Sequence, residues 1–117
     1  DENQLKEKVK RAVEAGICPV YCVSKTEEDI PEGVGIVAYE PVFAIGTGKA
    51  DSSTNAGQVA QKIKEAGLNR KVIYGGSVTQ NNISGFLMEP EIDGVLPGKT
   101  SLDPQIFGEM LTNASKI

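Results

Sequence analysis

Residues 36–49 read Ile-Val-Ala-Tyr-Glu-Pro-Val-Phe-Ala-Ile-Gly-Thr-Gly-Lys. The stretch opens on an uninterrupted apolar and aromatic run closed by Glu40. Such a run, without alternation, is how a strand covered on both faces of a parallel sheet reads. Three more runs of this kind occur, at Cys18–Val23, Val72–Gly75 and Asp93–Leu96.

Helical patterns lie between and around these strands. Leu5, Val9, Ala12 and Val13 recur on one helical face, and Gly16 stands where that helix would stop. Ala56, Val59, Ala60 and Ile63 share a second face, with Thr54 as the expected N-cap and Gly67 past the end. A weaker third helix carries Ile83, Phe86 and Leu87 after a cap at Thr79. The clearest has Asp103 at N-cap, Pro104 at the first helical position, then Ile106, Phe107, Met110 and Leu111. The order is helix, strand, strand, helix, strand, helix, strand, helix, which is an α/β repeat around a parallel sheet.

One interval breaks the rhythm. Only Ser24 to Gly35 separate the first two strands, and this segment contains Pro31, Gly33 and Gly35. A parallel crossover needs about a dozen residues and usually a helix. The connection is therefore near the minimum, with at most one helical turn at residues 26–29. An antiparallel hairpin is the alternative.

Composition bounds the function. The 117 residues suit one domain, residues 1–117, and 39% hydrophobic with 24% charged residues is an ordinary globular mixture. A net charge of −4 argues against a nucleic-acid or anionic-membrane surface. An anionic ligand would have to be held by local donors. Histidine is absent, so no imidazole of this chain shuttles protons or ligates a metal. No charged-then-apolar leader and no apolar run near about 18 residues occurs, which argues against secretion and membrane spanning. The chain does not start with Met, which points to a processed or partial chain. Cys18 and Cys22, four strand steps apart, would be roughly 13 Å from one another, too far for a disulfide. Buried free thiols in a reducing cytosol are the expectation.

The chemistry concentrates after the strands. An acidic residue ending an apolar strand is costly unless paired or functional. Pro41 holds Glu40 extended, and the Val-Phe-Ala-Ile-Gly-Thr-Gly that follows suits a lid that closes on something. The competing reading has Glu40 simply leaving the strand for solvent. Gly46 and Gly48 belong to no nucleotide fingerprint. A P-loop would need glycine at Phe43 and Ser or Thr at Ala50, and a dinucleotide site would need glycine at Asp51. Tyr74-Gly-Gly-Ser77 and Leu96-Pro-Gly-Lys-Thr-Ser101 are two successive Gly-rich turns. Each alone is an ordinary connection, but loops after the last two strands of a βα barrel commonly present N–H groups to phosphate.

Together, AYEPVFAIGTGK, IYGGSV and DGVLPGKTSLDP resemble the last three strand-loop segments of the triosephosphate isomerases. That family is itself a known case of a glutamate base working under a closing loop. The resemblance implies that Glu40 is the catalytic base. It makes Pro41, Val42, Phe43, Ala44, Ile45, Gly46, Thr47, Gly48 and Lys49 a mobile lid. Gly46, Ser77, Gly98 and Lys99 would hold the substrate phosphate through backbone N–H groups. Tyr74 and Ser77 would latch the lid, and Ile45 with Leu96 would clamp the base. No metal or organic cofactor is implied.

Departures accompany the match. Phe43 stands where the family usually has Trp, and Pro97 and Lys99 where it often has Val and Gly. Ser24-Lys25 replaces Gly-Glu, and the helix that follows there is shortened or absent. The family's electrophilic lysine and histidine have no counterpart. An eight-unit barrel takes about 250 residues, roughly 31 per unit, so this chain amounts to about four units. The expectation is the C-terminal half of a (β/α)₈ barrel, strands five to eight. The implied activity is a cytoplasmic triose phosphate isomerisation that needs an N-terminal half-barrel, with the isolated chain inactive. Its partners would be the triose phosphate substrate and either that half or a second copy, with no nucleic acid and no membrane. A catalytically inactive half-barrel that retains a phosphate site is the alternative.

Overall fold

The computed structural model describes residues 1–26, 28–67 and 69–117. Four strands, β1 (Val20–Val23), β2 (Ile36–Tyr39), β3 (Lys71–Gly75) and β4 (Gly94–Leu96), form one sheet in the order β1-β2-β3-β4. Every pairing is parallel, with Val20 opposite Ile36, Ile36 opposite Lys71 and Ile73 opposite Gly94. The chain is thus an α/β half-barrel, and the hairpin alternative for the first two strands is excluded. Between them the described residues carry no helix; Glu27, within the turn expected at 26–29, lies outside them.

Four helices flank the sheet: α1 (Glu2–Glu14), α2 (Ser53–Glu65), α3 (Ile83–Leu87) and α4 (Pro104–Ala114). Gly16, at φ 75°, ends α1 as expected, because the Ile17 N–H reaches Ala12 C=O and the Gly16 N–H reaches Val13 C=O. Asp103 caps α4 through bonds to the Gln105 and Ile106 N–H groups. The cap of α2 is Ser52, not Thr54: the Ser52 hydroxyl accepts from the Asn55 N–H at 3.1 Å. Nor does Thr79 cap α3, since Asn82 occupies that position. Thr79 caps the turn that runs into the helix: its hydroxyl accepts from the Asn81 N–H at 3.2 Å and its carbonyl from the Asn82 and Ile83 N–H groups.

The core fills one side of the sheet. Val37 and Tyr39 of β2 and Val72 and Tyr74 of β3 pack against Ala56, Ala60 and Ile63 of α2, Ile83 and Phe86 of α3, and Met110 of α4. Phe86 stacks on Tyr74 with ring centroids 3.9 Å apart. Burying such side chains contributes about 1.5–3 kcal/mol each. The alternate residues face the other side, where Ala38 is buried and Ile36 and Ile73 are partly buried. Val20, Cys22 and Leu96 are exposed there, against the expectation of cover on both faces.

The same geometry corrects the cysteines, both of which are exposed and free. Cys18 precedes the strand, because β1 finds a partner only from Ile36 onward and Pro19 offers no N–H. Cys22 points to the open face. Among the described residues no helix is long and apolar enough to cross a membrane.

Candidate active site at the carboxyl ends of the strands

Glu40 follows β2 directly, its N–H bonded to Val23 C=O at 2.8 Å. Extending the parallel register places it opposite Gly75, on the open face. Its carboxylate lies across Gly75: a Cβ built there would sit 2.8 Å from Glu40 Oε1. Leu96 is opposite Gly75 on the next strand, so Glu40, Gly75 and Leu96 form one row across the sheet. Cys22, opposite Ala38 in the register, lies on the same face of the sheet as Glu40. Burial and then the Glu40 charge raise its thiol pKa, which keeps the thiol protonated at neutral pH.

Pro41 is buried, and Val42–Ala44 make one 3-10 turn in which the Ala44 N–H reaches Pro41 C=O at 2.9 Å. Ala44 is buried, whereas Val42, Phe43 and Ile45 project outward. Ile45 is 54% and Leu96 41% exposed, so the apolar cover expected over Glu40 is not closed in this chain. Thr47 Oγ1 donates to Phe43 C=O at 2.7 Å and accepts from the Lys49 N–H at 3.1 Å, knitting the segment to itself. Gly46 and Gly48 hold φ of 65° and 75°, which glycine adopts without steric cost.

Three loops meet in a cleft of about 190 Å³ lined by Gly46, Gly48, Ser77, Val78, Thr79, Gly98, Lys99 and Thr100. All four residues expected at a phosphate are therefore brought together. Among the described residues, none of the N–H groups of Gly46, Ser77, Gly98 and Lys99 donates to a protein acceptor. Four free donors at one cleft suit an anion better than a cation. Ser77 takes a φ of 54°, and its hydroxyl donates to Ala44 C=O at 2.7 Å. Thr100 Oγ1 donates to Val78 C=O at 2.7 Å, joining the second and third loops. Larger depressions elsewhere, such as one of about 530 Å³ between α1 and Asp29–Gly33, hold none of these residues.

Of the two expected latch residues, Ser77 bonds directly to the segment expected as a lid, and Tyr74 bonds just beyond it. The Asp51 N–H donates to the Tyr74 hydroxyl at 2.9 Å, and that hydroxyl donates to Gly76 C=O at 2.9 Å. Burial raises the Tyr74 pKa, and the Asp51 N–H opposes the rise. Sequence reasoning missed Asp51, which also accepts from the Tyr39 hydroxyl at 3.1 Å. Its one visible signal was a charge directly after a Gly-rich segment, which also fits an ordinary helix start. Among the described residues no group of three or more His, Cys, Asp or Glu side chains is placed to hold a metal ion.

Comparison with known proteins identifies the family. The family model described as triosephosphate isomerase matches residues 30–114. Triosephosphate isomerase of Mesomycoplasma hyopneumoniae (strain 232) is 37% identical over 134 residues, covering 97% of this chain and 55% of the relative. The namesakes from Leifsonia xyli subsp. xyli and Chlamydia felis are 34% and 33% identical, covering 94% and 97% of this chain. The 134 aligned positions exceed the 117 residues of the chain, so the relative carries residues with no counterpart here. The chain spans about half the length of the curated relatives it matches. With the match extending over most of the sequence and the loops following the strands in the expected order, the chain belongs to the triosephosphate isomerase family.

Proposed function

We propose that this chain supplies the base, the lid and the phosphate site of an isomerase that interconverts dihydroxyacetone phosphate and D-glyceraldehyde 3-phosphate. The Glu40 carboxylate takes a proton from the carbon beside the carbonyl. The electron pair of that C–H bond becomes the C=C of an enediolate, and the carbonyl oxygen takes up the negative charge. Protonated Glu40 then returns the proton to the neighbouring carbon, while the proton of that carbon's hydroxyl passes to the former carbonyl oxygen, so one oxygen becomes the new carbonyl and the other the new hydroxyl. Only protons change place and the carbons exchange oxidation level within the molecule, so no external oxidant or reductant enters.

One observation carries this reading: the Glu40 carboxylate lies across Gly75 at the strand ends where the four-donor cleft also opens. A base and a dianion site at one end of a sheet are what a phosphorylated carbonyl substrate requires. Because the protein carries a net charge of −4, the phosphate is drawn by those local dipoles and not by the overall field.

The chain has no histidine, so a polarising imidazole has to come from outside it. An N-terminal half-barrel is the source we assign, for a lysine as well as for the histidine. The isolated chain then binds phosphate without turnover. The same absence favours a second reading, a half-barrel that binds phosphate and performs no chemistry.

Titration of the isotope-labelled chain with glycerol 3-phosphate, followed by amide NMR, tests the site. Gly46, Ser77, Gly98 and Lys99 are expected to shift together, and shifts confined to other loops would overturn the phosphate assignment. Recombination with an N-terminal half separates the two readings. Turnover that Glu40→Gln lowers by about 10²–10⁴-fold supports the enzyme. A folded complex without turnover supports the binding module.

A further inference from the structure

We infer that Asp51 is a positioning residue that anchors the trailing end of the lid to the strand bearing Glu40. This rests on reading Pro41–Lys49 as a lid. Asp51 Oδ2 accepts from the Tyr39 hydroxyl at 3.1 Å and from Asn55 Nδ2 at 2.6 Å, while its N–H donates to the Tyr74 hydroxyl at 2.9 Å. One residue beyond the lid is thereby tied to β2, β3 and α2 at once. Tyr39 is buried and immediately precedes Glu40, and its ring packs near Tyr74 with centroids 6.0 Å apart. An ionised acceptor holds its donors roughly twice as strongly as a neutral one.

The bland explanation is that Asp51 merely starts α2. Ser52 already performs that task, its hydroxyl accepting from the Asn55 N–H at 3.1 Å. The Asp51 carboxylate does accept from the Ser52 N–H, but through Oδ1, at 2.8 Å. Oδ2 is left for Tyr39 and Asn55. At the leading end, buried Pro41 and the Glu40 N–H bond to Val23 fix the chain. Between the two anchors stand Gly46 and Gly48, and among the described residues the one hydrogen bond to another loop is from the Ser77 hydroxyl to Ala44 C=O. That tie can break and re-form while both ends stay in register with Glu40.

Amide hydrogen exchange on the intact chain tests the inference, with thermal melting to verify the fold of each variant. In the parent, the Ala44, Ile45 and Lys49 amides should exchange faster than those in the middle of α2. Protection equal to that of α2 would overturn the lid reading and the anchor with it. Asp51→Ala should accelerate exchange across residues 44–51 by about tenfold, the factor for losing one charge-assisted bond. Asp51→Asn keeps an acceptor oxygen and should bring exchange back to within about threefold of the parent, as a weaker neutral bond would. Faster exchange confined to residues 55–57 would make Asp51 a helix-start residue and overturn the anchor. So would lid exchange unchanged in Asp51→Ala while the parental lid is mobile. Should Asp51→Ala fail to fold, Tyr39→Phe removes one donor alone and must give the same lid-only pattern.

Discussion

Glu40 lies where a side chain at Gly75 would have to be: an ideal Cβ on Gly75 falls 2.8 Å from Glu40 Oε1 and 2.9 Å from its Cγ. Real atoms do not approach that closely, so the glycine is what lets the carboxylate rest on the strand ends. The φ of Gly75 is not in the left-handed region, so the vacancy of the position, and not its backbone angle, is what the site uses.

Gly75→Ala should therefore leave the fold intact and displace the base. Misplacing a reacting group by about 1 Å can cost about 10²-fold in rate. Turnover of the recombined enzyme should fall by that order, with little change in melting temperature. Unchanged turnover in the folded variant would show that Glu40 has room to work elsewhere.

Ser77 performs two separable tasks. Its hydroxyl donates to Ala44 C=O, and the residue, at a φ of 54°, lines the cleft we propose for phosphate. Ser77→Ala should loosen the lid, seen as faster exchange of its amides, with little loss of phosphate affinity. Ser77→Gly should loosen the lid equally but melt higher than Ser77→Ala, because glycine removes about 1 kcal/mol of left-handed strain. Equal melting of the two variants would contradict the strain assigned to this position.

Acid stability should depend on Asp93. Burial alone would raise its pKa, but the Val72 N–H together with Lys64 and Lys71 outweighs it and holds the carboxyl below its ordinary 3.8. The unfolded chain thus binds the proton first. The contribution is fully present above the unfolded pKa of 3.8 and is lost as pH falls through the lower folded value. Thermal melts stepped from neutral pH into acid should fall more steeply for the parent than for Asp93→Asn. Parallel acid limbs would remove Asp93 from the account.

The uncovered face should drive association. Val20, Cys22 and Leu96 lie exposed on it, and β1 and β4 are open edges of the sheet. Sedimentation should show self-association, or capture of an N-terminal half-barrel, and Val20→Lys should weaken both. A well-folded monomer at micromolar concentration would contradict this.

The division of labour between local sequence and fold can be seen residue by residue. Gly16 as a helix stop, Asp103 with Pro104 as a helix start, and the four apolar strand runs were legible because each depends on near neighbours, whereas the parallel pairing of β1 with β2 was settled only by the fold. Glu40 and the three Gly-rich loops stood out because an acid or a run of glycines beside an apolar strand is costly without a purpose. Which hydroxyl of Ser52-Ser53-Thr54 caps α2 was not legible, since all three could serve. Tertiary structure chose Ser52, because the Tyr39 and Tyr74 hydroxyls fix the preceding residue. The exposure of Cys22 and the role of Asp51 were hidden for the same reason. Local sequence registers a residue's own conformational preference, but not which face of the sheet lacks cover or which distant phenol reaches a given carboxylate. Those are decided only when β1, β2 and β3 stand side by side.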